Sequence, residues 1–134
     1  DEFLKWDYMY QFVSFIVQTS RKKIVMCNRM NSRITALFRA DVYIEVPPNN
    51  WSYQYDQFKA EVEKHIEKDS ILLISAGLCS KVLINDLTNI CDMTCIDLGS
   101  SFDCLARKVS TRGWSHSYAD EIKYYRKLLP SGWL

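Results

Sequence analysis

Ser75, Ala76 and Gly77 close an apolar run, and Ser80 and Lys81 follow within about one helical turn. That spacing suits anion binding, because the N–H groups at a helix start carry the positive end of its dipole and a hydroxyl and an ammonium can add to them. Two further clusters carry related chemistry. Pro47, Pro48, Asn49, Asn50 and Trp51 offer amides and an aromatic face, while Asp97, Gly99, Ser100, Ser101 and Asp103 offer carboxylates and hydroxyls. Together these groups suit a nucleotide or a sugar. A carboxylate at a strand end, as at Asp97, can bind ribose hydroxyls, coordinate a metal or accept a proton, and it can equally cap the following turn; Asp103 has the same range. The stretch SAGLCSK matches neither the dinucleotide-binding glycine pattern nor the P-loop spacing. It therefore reads equally as a tight strand-to-helix connection, with Gly77 serving backbone geometry and Lys81 facing solvent.

These residues take on meaning from the elements around them. The unbroken apolar run Ile71 to Ile74 predicts a strand buried on both faces. Ile24 to Cys27 predicts the first strand, and the basic triplet Arg21, Lys22 and Lys23 before it is expected to be a solvated approach. Val42, Ile44 and Val46 alternate with Tyr43 and Glu45 in a second strand that Pro47 and Pro48 end, and Thr94 to Leu98 supplies the last. Asn31 or Ser32 is expected to cap a helix through Arg39, with Ile34, Leu37 and Phe38 facing inward. Tyr55, Phe58, Val62 and Ile66 recur at helical spacing between Tyr53 and Lys68, and Val82, Leu83, Leu87 and Ile90 are expected to form one apolar side of the next helix. Alternating strands and helices predict an α/β, Rossmann-like three-layer fold with a mostly parallel sheet. In such a sheet ligands bind beyond the carboxyl ends of the strands, where all three clusters fall.

Glu2 to Thr19 reads as an aromatic-rich helix whose charges and polar interruptions make a core or interface role fit better than a membrane span. Part of its apolar stripe is expected to cover missing N-terminal sequence or a second copy of the chain. A terminal helix is expected from Tyr118 to Leu129, packing Tyr124, Tyr125, Leu128 and Leu129. The loop before it, with Arg112, Trp114 and His116, can close over a substrate or remain a surface loop. His65 lies among charged neighbours and reads as a solvated position.

The 134 residues read as one Rossmann-like domain spanning 1–134, with a core of real size. Seventeen basic against 16 acidic side chains leave a formal charge of +1, which argues against a dedicated nucleic-acid binder with a concentrated basic face. Five cysteines, Cys27, Cys79, Cys91, Cys95 and Cys104, form neither an even disulfide set nor paired zinc knuckles. They are read as reduced thiols in a cytoplasmic protein without structural zinc.

Three segments, VYIEVPPNNWSYQYDQF, ILLISAGLCSKVLINDL and CIDLGSSFD, resemble in order the C-terminal half of bacterial GT-D-fold glycosyltransferases, over roughly Lys23 to Asp103. The resemblance implies transfer of a sugar from a nucleotide-sugar donor to a glycan or glycoconjugate acceptor, often with manganese or magnesium. The family's Asp-x-Glu metal motif belongs near its N-terminus. This chain has none, and Asp41 and Glu45 are too far apart to replace it, so either the implied metal ligands lie outside this chain, in a longer glycosyltransferase, or the chain departs from the catalytic pattern. By the same resemblance Ser75 and Gly77 approach the donor, Pro47 and Asn50 lie in a neighbouring loop, and Asp97, Gly99 and Asp103 form another wall. Ser80 and Lys81 stand near the departing diphosphate, whose developing charge a cation must stabilise. No catalytic base is assigned. Two other readings remain open: a non-catalytic α/β interaction or regulatory module, and another nucleotide-dependent transferase, such as a methyltransferase without its usual glycine-rich turn.

Overall fold

A computed structural model describes residues 6–108 and 118–133. Four strands, β1 (Lys23–Asn28), β2 (Val42–Val46), β3 (Ile71–Ser75) and β4 (Thr94–Asp97), form one all-parallel sheet in the order β2-β1-β3-β4. The sheet is the expected Rossmann-like α/β layer, and the period-2 alternation of its side chains builds two cores. Val25, Cys27, Ile71 and Leu73 face α1 (Trp6–Gln18), α2 (Ile34–Leu37), α5 (Asp103–Arg107) and α6 (Tyr118–Tyr125). Ile24, Met26, Leu72 and Ile74 face α3 (Tyr55–Glu63) and α4 (Cys79–Thr88). The central strands are therefore apolar at nearly every position, as a sheet covered on both sides requires.

On the α1 side, Phe38 meets Phe102 edge-on at 5.2 Å and Phe12 at 5.9 Å, while Tyr10 meets Tyr124 edge-on at 5.7 Å. This aromatic cluster fixes α1 and α6 over the sheet face. The terminal segment packs as expected: Tyr125 and Leu128 are buried, Tyr124 and Leu129 join them, and Lys123, Arg126 and Lys127 are exposed. No helix among the described residues is long and apolar enough to cross a membrane.

Four expectations need correction. Lys23 is not solvated but 6 % exposed, with its backbone N–H donating to Asp41 Oδ2 at 2.8 Å and its Nζ donating to the Ile16 carbonyl at 3.3 Å. A helix C-terminus presents unpaired carbonyls that favour a cation, and this compensates burial of the ammonium. Neither Asn31 nor Ser32 caps a helix reaching Arg39. Asn28 caps a short 3₁₀ turn, Arg29–Asn31, its side chain accepting from the Met30 N–H, and α2 is a single turn that cannot extend through Arg39, held at φ +53. Helix α3 stops at Glu63 rather than Lys68, and its opening turn, Trp51–Gln54, is 3₁₀. Ser70 Oγ takes the Glu67 N–H and Asp69 sits at φ +67, which breaks the helical path before β3. Finally, Leu83 and Leu87 are fully buried but Val82 and Ile90 are 54 % and 58 % exposed. Val82 lies about 100° around the helix from Leu83, and Ile90 follows the helix end.

Candidate functional site

The strand order reverses between β1 and β3, the place where an open α/β sheet leaves a crevice at its carboxyl edge. Asn31 stands at the base of that crevice, 1 % exposed. Its Nδ2 donates to Asp103 Oδ1 at 2.8 Å and to Ser75 Oγ at 3.3 Å, and its Oδ1 accepts from Arg107 Nε at 2.5 Å. Ser75 in turn donates to the Gly99 carbonyl at 2.7 Å, and Arg107 Nη2 lies 3.9 Å from Asp103 Oδ2. One buried amide thus ties the ends of β1 and β3, the β4 loop and α5 into a network that holds three strand-end loops in fixed relation.

The β3–α4 turn stands on this base. Gly77 takes φ +74, a conformation that only glycine adopts freely, and a Cβ there would meet nothing within 4 Å. The glycine is needed for its backbone angle, and the space above it is open. Leu78 occupies the N-cap of α4 with no capping side chain and is itself 85 % exposed. Ser80 is fully buried, and its Oγ has no hydrogen-bond partner among the described residues. In place of a side-chain cap, the Ser80 and Lys81 N–H groups donate to the Gly77 and Leu78 carbonyls at 3.1 and 3.3 Å, a tight turn at the helix start.

The β2–α3 loop forms the other side. Trp51, 4 % exposed, donates its Nε1–H to the Ala76 carbonyl at 2.6 Å and stacks on Tyr55 at 6.0 Å, so the loop is fastened to the glycine turn. Asn50 takes the left-handed conformation at φ +57 and is exposed; its carbonyl accepts from the Tyr53 N–H at 3.3 Å. Pro47 lines a cavity of about 510 Å³ at the carboxyl ends of β1 and β2.

Of the residues singled out in the sequence, Ser75, Gly99 and Asp103 come together through Asn31, and Gly77 and Ser80 form the adjoining turn. Lys81 is exposed on α4 and takes no part in the network. Asp97 accepts the Gly99 N–H through Oδ1 at 2.9 Å, so it closes its own turn, the capping role that the sequence had left open. Asp97 is thus occupied by a turn and Asp103 by Asn31 and Arg107. Among the described residues no three His, Cys, Asp or Glu side chains gather around a common point that could hold a metal ion. Arg112, Trp114 and His116 lie outside the described residues.

Asn31 and Arg107 were missed. The loops after β2, β3 and β4 were weighed as ligand walls, but the loop after β1 was read only as a helix cap. Extending the strand-end rule to β1 would have pointed to Asn28 through Asn31.

The five thiols are free, and Cys27 and Cys104 are buried. Burial pushes the Cys27 thiol up to about 12 and Cys95 up to about 11, which makes both poor nucleophiles. Compared with family models, curated proteins and solved structures, the chain finds no match.

Proposed function

We propose that this chain is a glycosyltransferase domain that binds a nucleotide-sugar donor at the β1/β3 crevice and transfers the sugar to a glycan or glycoconjugate. The observation that carries the reading is the start of α4 at the switch point, where an open glycine turn stands beside the unpartnered Ser80 hydroxyl. Such a start is the elementary receptor for a diphosphate. In the transfer, an acceptor hydroxyl oxygen bonds to the anomeric carbon and loses its proton, while the bond from that carbon to the diphosphate breaks and the nucleoside diphosphate leaves with the electron pair. The helix start stabilises the charge that develops on the departing oxygen, with the Lys81 ammonium one turn away. Manganese or magnesium, where it takes part, is held by ligands outside this chain and supplies further charge stabilisation. The Asn31 network keeps the crevice walls from moving as the donor seats.

Calorimetry with a panel of nucleotide sugars, with and without manganese, tests the reading. Binding of one donor class at the crevice, weakened by Gly77→Ala, is the expected result, and absence of binding by every donor overturns it. One observation favours a second reading, a non-catalytic interaction module: Met30, Tyr53 and Leu78, from three successive strand-end loops, are 53 %, 89 % and 85 % exposed. Exposed apolar side chains concentrated on one edge suit a protein partner.

A further inference from the structure

A second concave surface runs along the free edge of the sheet. Strand β2 pairs with β1 alone among the described residues, so its outer edge is open, and α3 lies beside it. Two hollows of about 290 and 510 Å³ lie between strand and helix, and both are lined by Glu45 and Phe58, which makes them one trough. Gln54, Gln57, Phe58 and Glu61 recur every three or four residues, so a single face of the 3₁₀ turn and α3 supplies one wall. Ile44 and Val46 face α3 from the strand and the open β2 edge at Tyr43 and Glu45 completes the other wall, while the Tyr43 and Glu45 side chains turn to the α1 side, where the Tyr43 hydroxyl donates to Glu45 Oε1 at 3.1 Å.

We propose that this trough binds a neutral oligosaccharide, the acceptor of the transfer reaction. Its role as an acceptor site rests on the transferase reading; its chemistry as a saccharide site does not. Pyranose rings present vicinal hydroxyls at their edges and C–H bonds on their faces. Planar amides and carboxylates pair with the hydroxyls, and a ring such as Phe58, beside Pro47 and Pro48, receives the C–H face. The side-chain amides of Gln54 and Gln57 have no hydrogen-bond partner among the described residues and are available to do so. Five strand residues span about 17 Å, room for about three sugar units. Glu45 opposes a polyanionic chain, while Glu61 is ion-paired with Lys64 at 3.1 Å and lies 3.6 Å from His65. A peptide added to the edge as a strand is disfavoured, because Pro47 and Pro48 end its ladder. At its upper end the trough is lined by Asn28, Arg29 and Met30, and the next residue is Asn31 of the crevice network. The trough and the donor crevice thus share the loop after β1, the arrangement needed to bring an acceptor hydroxyl to a donor.

Chemical-shift mapping of the isotopically labelled chain tests the inference, using chitotriose, maltotriose and cellotriose to millimolar concentration and, in separate samples, nucleotide sugars and an extended alternating Val/Thr peptide. Saturable shifts at Glu45, Gln54, Gln57 and Phe58 with one trisaccharide are expected. Phe58→Leu should weaken that binding about threefold to tenfold, and the exposed Gln57→Ala, which leaves the fold untouched, about threefold. No trough shifts with any trisaccharide, unchanged affinity in both variants, or shifts with the peptide alone overturn it. Trough shifts without crevice shifts from any nucleotide sugar retain the saccharide site and remove the transferase reading, whereas crevice shifts with a silent trough do the reverse.

Discussion

Arg107 donates its Nε–H to the Asn31 side-chain carbonyl at 2.5 Å, across 76 positions of sequence, at a site where Asn31 is 1 % exposed. The pair closes a bridge between the first strand and the helix after the last one. Because Asn31 uses both ends of its amide, removing it takes a hydrogen bond from three partners at once.

Asn31→Leu keeps the approximate volume and abolishes the three hydrogen bonds that Asn31 makes in the network. Ser75, Asp103 and Arg107 then lose a buried partner, and the expected cost is about 2–4 kcal/mol of unfolding free energy. Urea unfolding followed by tryptophan fluorescence measures it. A cost within the error of a surface substitution would show that the network does not tie the loops together.

Gly77 and Gly99 both hold positive φ, at +74 and +53, with open space where a Cβ would stand, and so does Gly132 at +82 in the tail. Alanine at each is expected to cost about 1 kcal/mol of stability from backbone strain alone. Nucleotide-sugar affinity separates the three. It should fall for Gly77→Ala and Gly99→Ala, whose added methyl enters the crevice, and hold for Gly132→Ala. Equal affinity in all three would empty the crevice of its proposed ligand.

The layer architecture was legible because β1 and β3 are apolar at almost every position, a pattern forced on strands covered from both sides. The strand-end loops were legible for the same reason, since proline and glycine mark where pairing stops. Asn31 was not: a polar residue before an apolar run looks like a cap, and only the tertiary fold brings Arg107 and Asp103 to it. Lys23 failed similarly, because its compensation comes from the carbonyl end of α1 and not from its neighbours in sequence. Val82 and Ile90 were misassigned by counting apolar residues without their angular position. Asp97 carried two readings, and the hydrogen bond from the Gly99 N–H selects the structural one.

Ser80 buries a hydroxyl whose oxygen has no partner among the described residues. Ser80→Ala removes an unpaired polar group from a fully buried position, so unfolding free energy should rise by about 1 kcal/mol. If the hydroxyl serves the bound diphosphate, donor affinity should fall about threefold to tenfold in the same protein. A gain in stability with unchanged affinity would take Ser80 out of the site and leave it a defect of the helix start.

Glu121 on α6 is 4 % exposed, and burial, reinforced by the Asp120 carboxylate beside it, pushes its carboxyl up to about 7 from an ordinary value of 4.5. Cys104 of α5 and Tyr125 of α6 share its surroundings, and burial raises both of these groups, leaving them neutral near neutral pH. An acid raised in the native state holds a proton there that the unfolded chain has released, so the associated stability is complete below about pH 4.5 and is lost as pH rises through about 7. Glu121→Gln stays neutral throughout. Relative to the unmodified chain it should be nearly equal in stability at about pH 4.5 and more stable by about 1–3 kcal/mol at about pH 8. Denaturant titrations of both proteins at those two pH values measure the difference directly, which cancels the other carboxylates. A difference that does not grow with pH would mean that Glu121 ionises at its ordinary value, with water or a cation reaching it inside the α5–α6 contact.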